Sequence, residues 1–138
     1  MCSIGGEIDF INDLGVKDYH YAMIDTMKRR GPDDDDVYSC ENAVLLHARL
    51  AVIDVERGKQ PMSFIYNGSL YTIVYNGEIY NTDEVRNVLI EKGISFDTSS
   101  DTEVILKAFA VFGEKCVNML NGIFAFAVWN EKTKRLFM

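Results

Sequence analysis

Residues 1–10, MCSIGGEIDF, place a cysteine directly behind the initiator methionine and continue, from Ser3 to Phe10, as a run that reads as a β-strand. A thiol at that position has three ordinary explanations: a targeting signal, a lipid anchor or a disulfide. A secretory or lipoprotein signal needs a basic segment and an apolar run ahead of its cleavage point, and only Met1 precedes Cys2. Myristoylation needs glycine in the second position. The other cysteines, Cys40 and Cys116, make an odd total without CxxC spacing, which suggests neither a disulfide framework nor a zinc knuckle. A reducing, cytoplasmic location is expected.

Outward from this strand, 138 residues with 48% apolar side chains are enough for one domain with a true core. The net charge of −7 disfavours nonspecific attraction to nucleic acid or anionic lipid, and no apolar stretch approaches the length of a membrane span. Small molecules or proteins are the expected partners.

Apolar positions at Tyr21, Ile24 and Met27 predict a helix from about Val16 to Arg30, ended by Gly31-Pro32; the DDDD run Asp33 to Asp36 then reads as a solvated turn. Its spacing lacks the glycine and terminal glutamate of an EF-hand, so no metal is assigned. Ala43 to Val55 predicts two buried strands or one bent strand. Tyr71 to Tyr75 predicts another, closed by the turn pair Asn76-Gly77. Two helices follow, one from Asn81 with Glu84 at the capping-box position to Gly93, the other from Ser100 with Glu103 to Gly113. Ile123 to Trp129 and Arg135 to Met138 read as strands joined by NEKTK. Strands at both ends of a helical middle predict an α+β fold. The last strand stops in mid-run without a polar cap, so the chain is expected to be cut inside a sheet.

Several residues are out of keeping with their surroundings. His47 and Arg49 interrupt LLHARLAVI, where a buried guanidinium needs a paired anion. In isolation, Arg49 reads as a solvent-face residue or the partner of a protein carboxylate, and His47 as a structural histidine. Asn76-Gly77 is an ordinary turn signal, yet an asparagine amide beside a glycine N–H also offers two donors for one oxyanion. Asp101, at the start of its helix, is explained by the helix dipole.

Seven separated segments, MCSIGG, RRGPDD, HARLAVID, QPM, NGEIYN, SDTEVIL and LNGIFAFAVW, together resemble the class II glutamine amidotransferases from Met1 to Met138, most closely the glutaminase domains of glutamine-hydrolysing asparagine synthetases. Position 29 departs from the family pattern, with arginine in place of the usual histidine. The resemblance implies the N-terminal nucleophile hydrolase fold, two stacked antiparallel sheets flanked by helices, with residues 1–138 an incomplete glutaminase domain. It implies that removal of Met1 exposes Cys2 as nucleophile with its own α-amine as base, that Asn76 and Gly77 form the oxyanion hole, and that Arg49 binds the α-carboxylate of glutamine while Glu78 and Asp101 bind its α-ammonium. No cofactor is expected for this step. ATP and magnesium are expected only in a synthetase domain, absent here, that would use the ammonia. A homodimer is a further expectation. The alternatives are an inactive or glutamine-sensing module, or the glutaminase part of another class II amidotransferase.

Overall fold

The structure is a computed structural model that describes residues 1–52, 54 and 56–138. Two antiparallel sheets form the centre. The first has three strands in the order β1-β3-β2, from β1 (Ser3–Ile8), β2 (Asp34–Cys40) and β3 (Ala43–Arg49). The second has four in chain order, β4 (Met62–Tyr66), β5 (Ser69–Ile79), β6 (Gly122–Asn130) and β7 (Arg135–Phe137). Helix α1 (Asp18–Met27) covers the outside of the first sheet, and α3 (Asp101–Phe112), with α2 (Thr82–Glu91) beside it, covers the outside of the second. The four layers run helix, sheet, sheet, helix, as the α+β expectation requires.

Period-two alternation sorts the side chains among these layers. On β3, Val44 and Leu46 pack with Ile24 and Leu14 under α1, while Ala43 and Leu45 turn inward against Val74, Ala127 and Trp129 of the second sheet. Both faces of β3 are therefore covered, and all seven of its residues are buried. On β5, Ile73, Tyr75 and Ile79 face α3, where Ile105 and Leu106 complete a cluster with Phe126 and Val128. Leu106 is fully buried there, so Leu106→Ala is expected to destabilise the fold by about 2–5 kcal/mol, measurable as a lower denaturant midpoint at unchanged slope.

Several local expectations are corrected. Asp34–Asp36 belong to β2 rather than to a turn: β2 is an edge strand whose Asp35 and Asp36 point to solvent, and edge strands tolerate charge. Asn76-Gly77 does not close a turn, because β5 runs straight through it to Ile79. Within Ala43 to Val55 only Ala43–Arg49 is strand, and Ile53 and Val55 lie outside the described residues. Helix α1 is shorter than its apolar rhythm, and Tyr21 is exposed while His20 is buried. His20 Nδ1 accepts the Lys17 N–H at 3.0 Å, so Nε2 carries the proton and donates to Glu7 Oε2 at 2.9 Å, pinning α1 to β1.

The two capping-box expectations come out differently. Asn81 caps nothing with its side chain, which instead donates to the Met119 carbonyl and accepts the Asn121 N–H, tying the start of α2 to the start of β6. Ser100 does cap α3 through the Glu103 N–H at 3.4 Å, but the Glu103 carboxylate reaches back to the Asp97 and Thr98 amides and pairs with the buried Lys107.

Candidate active site

Cys2 lies one step beyond the last β1–β3 pair, Ser3 opposite Ala48, and therefore next to the end of β3 that carries Arg49. Its sulfur accepts the Leu50 N–H at 3.3 Å. The RRGPDD segment braces that end. A Cβ on Gly31 would collide with the Ala48 carbonyl, so only glycine permits this approach. Two residues on, Asp33 donates its N–H to the Arg49 carbonyl at 3.0 Å and accepts the Ala51 N–H at 2.8 Å.

Arg49 shares the inward face of β3 with Ala43, Leu45 and His47, and is only 5% exposed. Its Nη2 donates to the Asp54 carbonyl at 2.7 Å. Asp54, at φ 46°, also uses its carboxylate to accept the Ser99 N–H, the Ser99 hydroxyl and the Arg57 N–H. The Ser99 amide, then the Arg57 amide, hold that carboxyl below its ordinary range. One residue thus joins the segment after β3 to the segment leading into α3. The solvent-face reading of Arg49 is corrected by its burial.

The parity of the β5–β6 ladder decides what Asn76 and Gly77 present. Tyr80 donates its N–H to the Asn121 carbonyl and Glu131 donates its N–H to the Leu70 carbonyl, so in this register the even residues of β5 bond to β6 and the odd ones do not. Gly77, opposite Phe124, consequently directs its N–H away from β6, on the edge where β4 has already ended. Its φ of 156° and the 2.5 Å that would separate an added Cβ from Phe124 Cα explain the glycine. Asn76 projects on the same face as Val74, toward the first sheet and Cys2.

Asp101 is 6% exposed and accepts the Tyr75 hydroxyl at 2.6 Å. A dipole role alone does not account for that buried contact. Burial and then this bond push the Tyr75 phenol far above its ordinary pKa, so it acts as a fixed donor. Glu78, by contrast, is exposed. Cys2, Arg49, Asn76, Gly77, Glu78 and Asp101 all line one cavity of about 400 Å³, together with Gln60, Tyr75 and Thr102. Sequence alone marks neither Gln60 nor Tyr75 as a site residue, although QPM is one of the seven motifs and Tyr75 ends a strand.

His47 is buried behind this cavity. Its Nε2 meets the Tyr75 carbonyl at 3.2 Å, and because a carbonyl only accepts, Nε2 carries the proton. Desolvation is the main cause that lowers its pKa to about 4. A histidine whose folded pKa lies below its unfolded value stabilises the neutral-pH fold and loses that contribution as pH falls from about 6.5 toward 4. Replacing it by asparagine is expected to flatten the fall of Tm with pH in that interval; an unchanged profile would contradict this.

Comparison with known proteins agrees with this fold. The glutamine amidotransferase domain family matches residues 1–138. The chain is 49% identical over 138 residues to glutamine-hydrolyzing asparagine synthetase 3 of Bacillus subtilis, covering 99% of this chain and 22% of that protein. It is 36% identical over 134 residues to glutamine-hydrolyzing asparagine synthetase B of Escherichia coli, covering 96% of this chain and 24% of that one. Among solved structures, glutamine phosphoribosylpyrophosphate amidotransferase from B. subtilis, complexed with ADP and GMP, superimposes with a TM-score of 0.56 at 25% identity, over 67% of this chain and 22% of the other. The chain thus spans about a quarter or less of the length of these relatives. Among the described residues, no helix is long and apolar enough to cross a membrane.

Proposed function

Because this chain belongs to the glutamine amidotransferase family, we propose that its cavity hydrolyses the side-chain amide of glutamine to glutamate and ammonia through a thioester on Cys2. The observation that carries this reading is the convergence of a thiol, an oxyanion-type donor pair, a buried guanidinium and two carboxylates on one cavity. Removal of Met1 makes Cys2 the first residue. Its α-amine then belongs to the same residue as the thiol and can serve as the base that takes the thiol proton.

The sulfur attacks the amide carbon while the α-amine takes the thiol proton. The carbonyl oxygen, now negative, accepts from the Asn76 side-chain amide and the Gly77 N–H. As the tetrahedral species collapses, the C–N bond breaks, the amine returns its proton to the leaving nitrogen, and ammonia departs. Water then attacks the thioester carbon, giving glutamate and restoring the thiol. Arg49 pairs with the substrate α-carboxylate, and Asp101 and Glu78 with its α-ammonium. This step uses no cofactor. In a longer protein a synthetase domain would use the ammonia to make asparagine, as the relatives' names suggest, and ATP and magnesium would belong to that domain alone.

The test is ammonia release from glutamine, run beside Arg49→Lys. Lysine keeps the charge but loses the two-pronged grip, so KM for glutamine is expected to rise roughly 10- to 100-fold, the equivalent of losing one charge-assisted bond, with kcat less affected. Binding of glutamine without any turnover would contradict hydrolysis and favour a sensing role.

A further inference from the structure

The β4–β5 register pairs Met62 with Ile73. Continued by two residues, it sets residue 60 opposite Tyr75, where β4 no longer exists as a strand. The Tyr75 N–H is nevertheless occupied: it donates to the side-chain Oε1 of Gln60 at 2.6 Å. The other half of the same amide, Nε2, donates to Thr102 Oγ1 at 3.1 Å, beside Asp101 in the first turn of α3. Gln60 is only 7% exposed and Thr102 3%. A side chain here continues the ladder that the main chain has abandoned, and it ends on a different element.

We infer that Gln60 is a positioning residue that fixes the distance between the oxyanion donors on β5 and the ammonium-binding carboxylate on α3. This rests on the glutaminase reading above. The residue after Tyr75 is Asn76 and the residue before Thr102 is Asp101, so one buried amide spans the two places that must grip opposite ends of a single substrate. The Tyr75 hydroxyl, held on Asp101, closes the loop from the other end. Without Gln60, the Tyr75 N–H would be left buried and unpaired, and both grips would be free to drift; a displacement of about 1 Å can cost on the order of 10²-fold in rate.

Gln60→Leu removes both bonds at similar size. It is expected to lower kcat about 10-fold and raise KM for glutamine about 10-fold. A role in global stability alone would reduce the active fraction and leave KM unchanged. Gln60→Glu offers an acceptor to the Tyr75 N–H and can still bond the Thr102 hydroxyl in either protonation state, so it is expected to recover most of kcat. Should Gln60→Leu fail to fold, Thr102→Val cuts the far bond and is expected to shift kcat and KM in the same directions. Amide hydrogen exchange gives a readout independent of turnover: protection at Tyr75 should fall in Gln60→Leu, while that at Asn76, bonded to β6, persists. Kinetic constants within twofold of wild type for Gln60→Leu, no recovery in Gln60→Glu, or unchanged Tyr75 protection would each overturn the inference. A wild-type chain without glutaminase activity would contradict the functional reading instead, and Tyr75 exchange would still decide whether the strut exists.

Discussion

Cys2→Ala is expected to lower glutamine hydrolysis by roughly 10⁴- to 10⁶-fold in kcat, the loss typical when a covalent nucleophile is removed. The substitution takes away the atom that forms the thioester, and no second thiol stands in: Cys116 is fully buried, with desolvation raising its pKa to about 11, and Cys40 does not line the cavity. Stability should change little, because Cys2 is half-buried at the end of the sheet and its thiol holds one residue, accepting the Leu50 N–H at 3.3 Å and donating to the Leu50 carbonyl at 3.6 Å. Glutamine should still bind, since the groups assigned to its α-carboxylate and α-ammonium are untouched. Ammonia release at the same rate from both proteins would reject the nucleophile.

Asn76→Ala is expected to cost about 10²- to 10³-fold in kcat, with KM nearly unchanged. The asymmetry follows from the charge being stabilised: the substrate carbonyl oxygen is neutral until sulfur attacks, so a donor aimed at the oxyanion acts mainly in the transition state. Asn76 makes a cleaner test than Gly77. An alanine at 77 would need a φ that side chains rarely adopt and would press its Cβ against β6, mixing strain with lost catalysis. A rise in KM with kcat preserved would place Asn76 among the substrate-holding groups instead.

Much of this arrangement was legible in the sequence because it depends on patterns that are local. The periodicity around Ile24 and the run from Val104 to Ala108 announce helices that exist. A cysteine in the second position, and an arginine inside an apolar strand, pose chemical demands visible without coordinates. What escaped depends on partners distant in the chain. Asn76-Gly77 carries the same short-range turn signal as Asn67-Gly68, which does close the β4–β5 hairpin, but β6 pairs with β5 through Asn76-Gly77, and the glycine serves the close approach to Phe124 rather than a reversal. The aspartate run looked too charged for a sheet because nothing local reveals that β2 is an edge. β4 is five residues long, and its alternation of half-buried Met62, Phe64 and Tyr66 with exposed Ser63 and Ile65 is too brief to stand out.

The same limit applies to the site. Cys2, Arg49, Asn76, Gly77, Glu78 and Asp101 were named through motifs, each a short segment. Gln60 and Tyr75 act through a register and a side chain that crosses between layers, which no spacing along the chain encodes. The contact of His47 with the Tyr75 carbonyl fits a structural histidine, set against the strand that carries the oxyanion donors.

The intact mass of the protein after brief incubation with glutamine and an acid quench tests the covalent chemistry most directly. The expected result is a chain lacking Met1 that carries one γ-glutamyl group on Cys2, removed by hydroxylamine as a thioester is, and absent from Cys2→Ala. A chain that retains Met1 and releases ammonia at full rate, or an adduct that survives loss of Cys2, would contradict catalysis by an N-terminal cysteine.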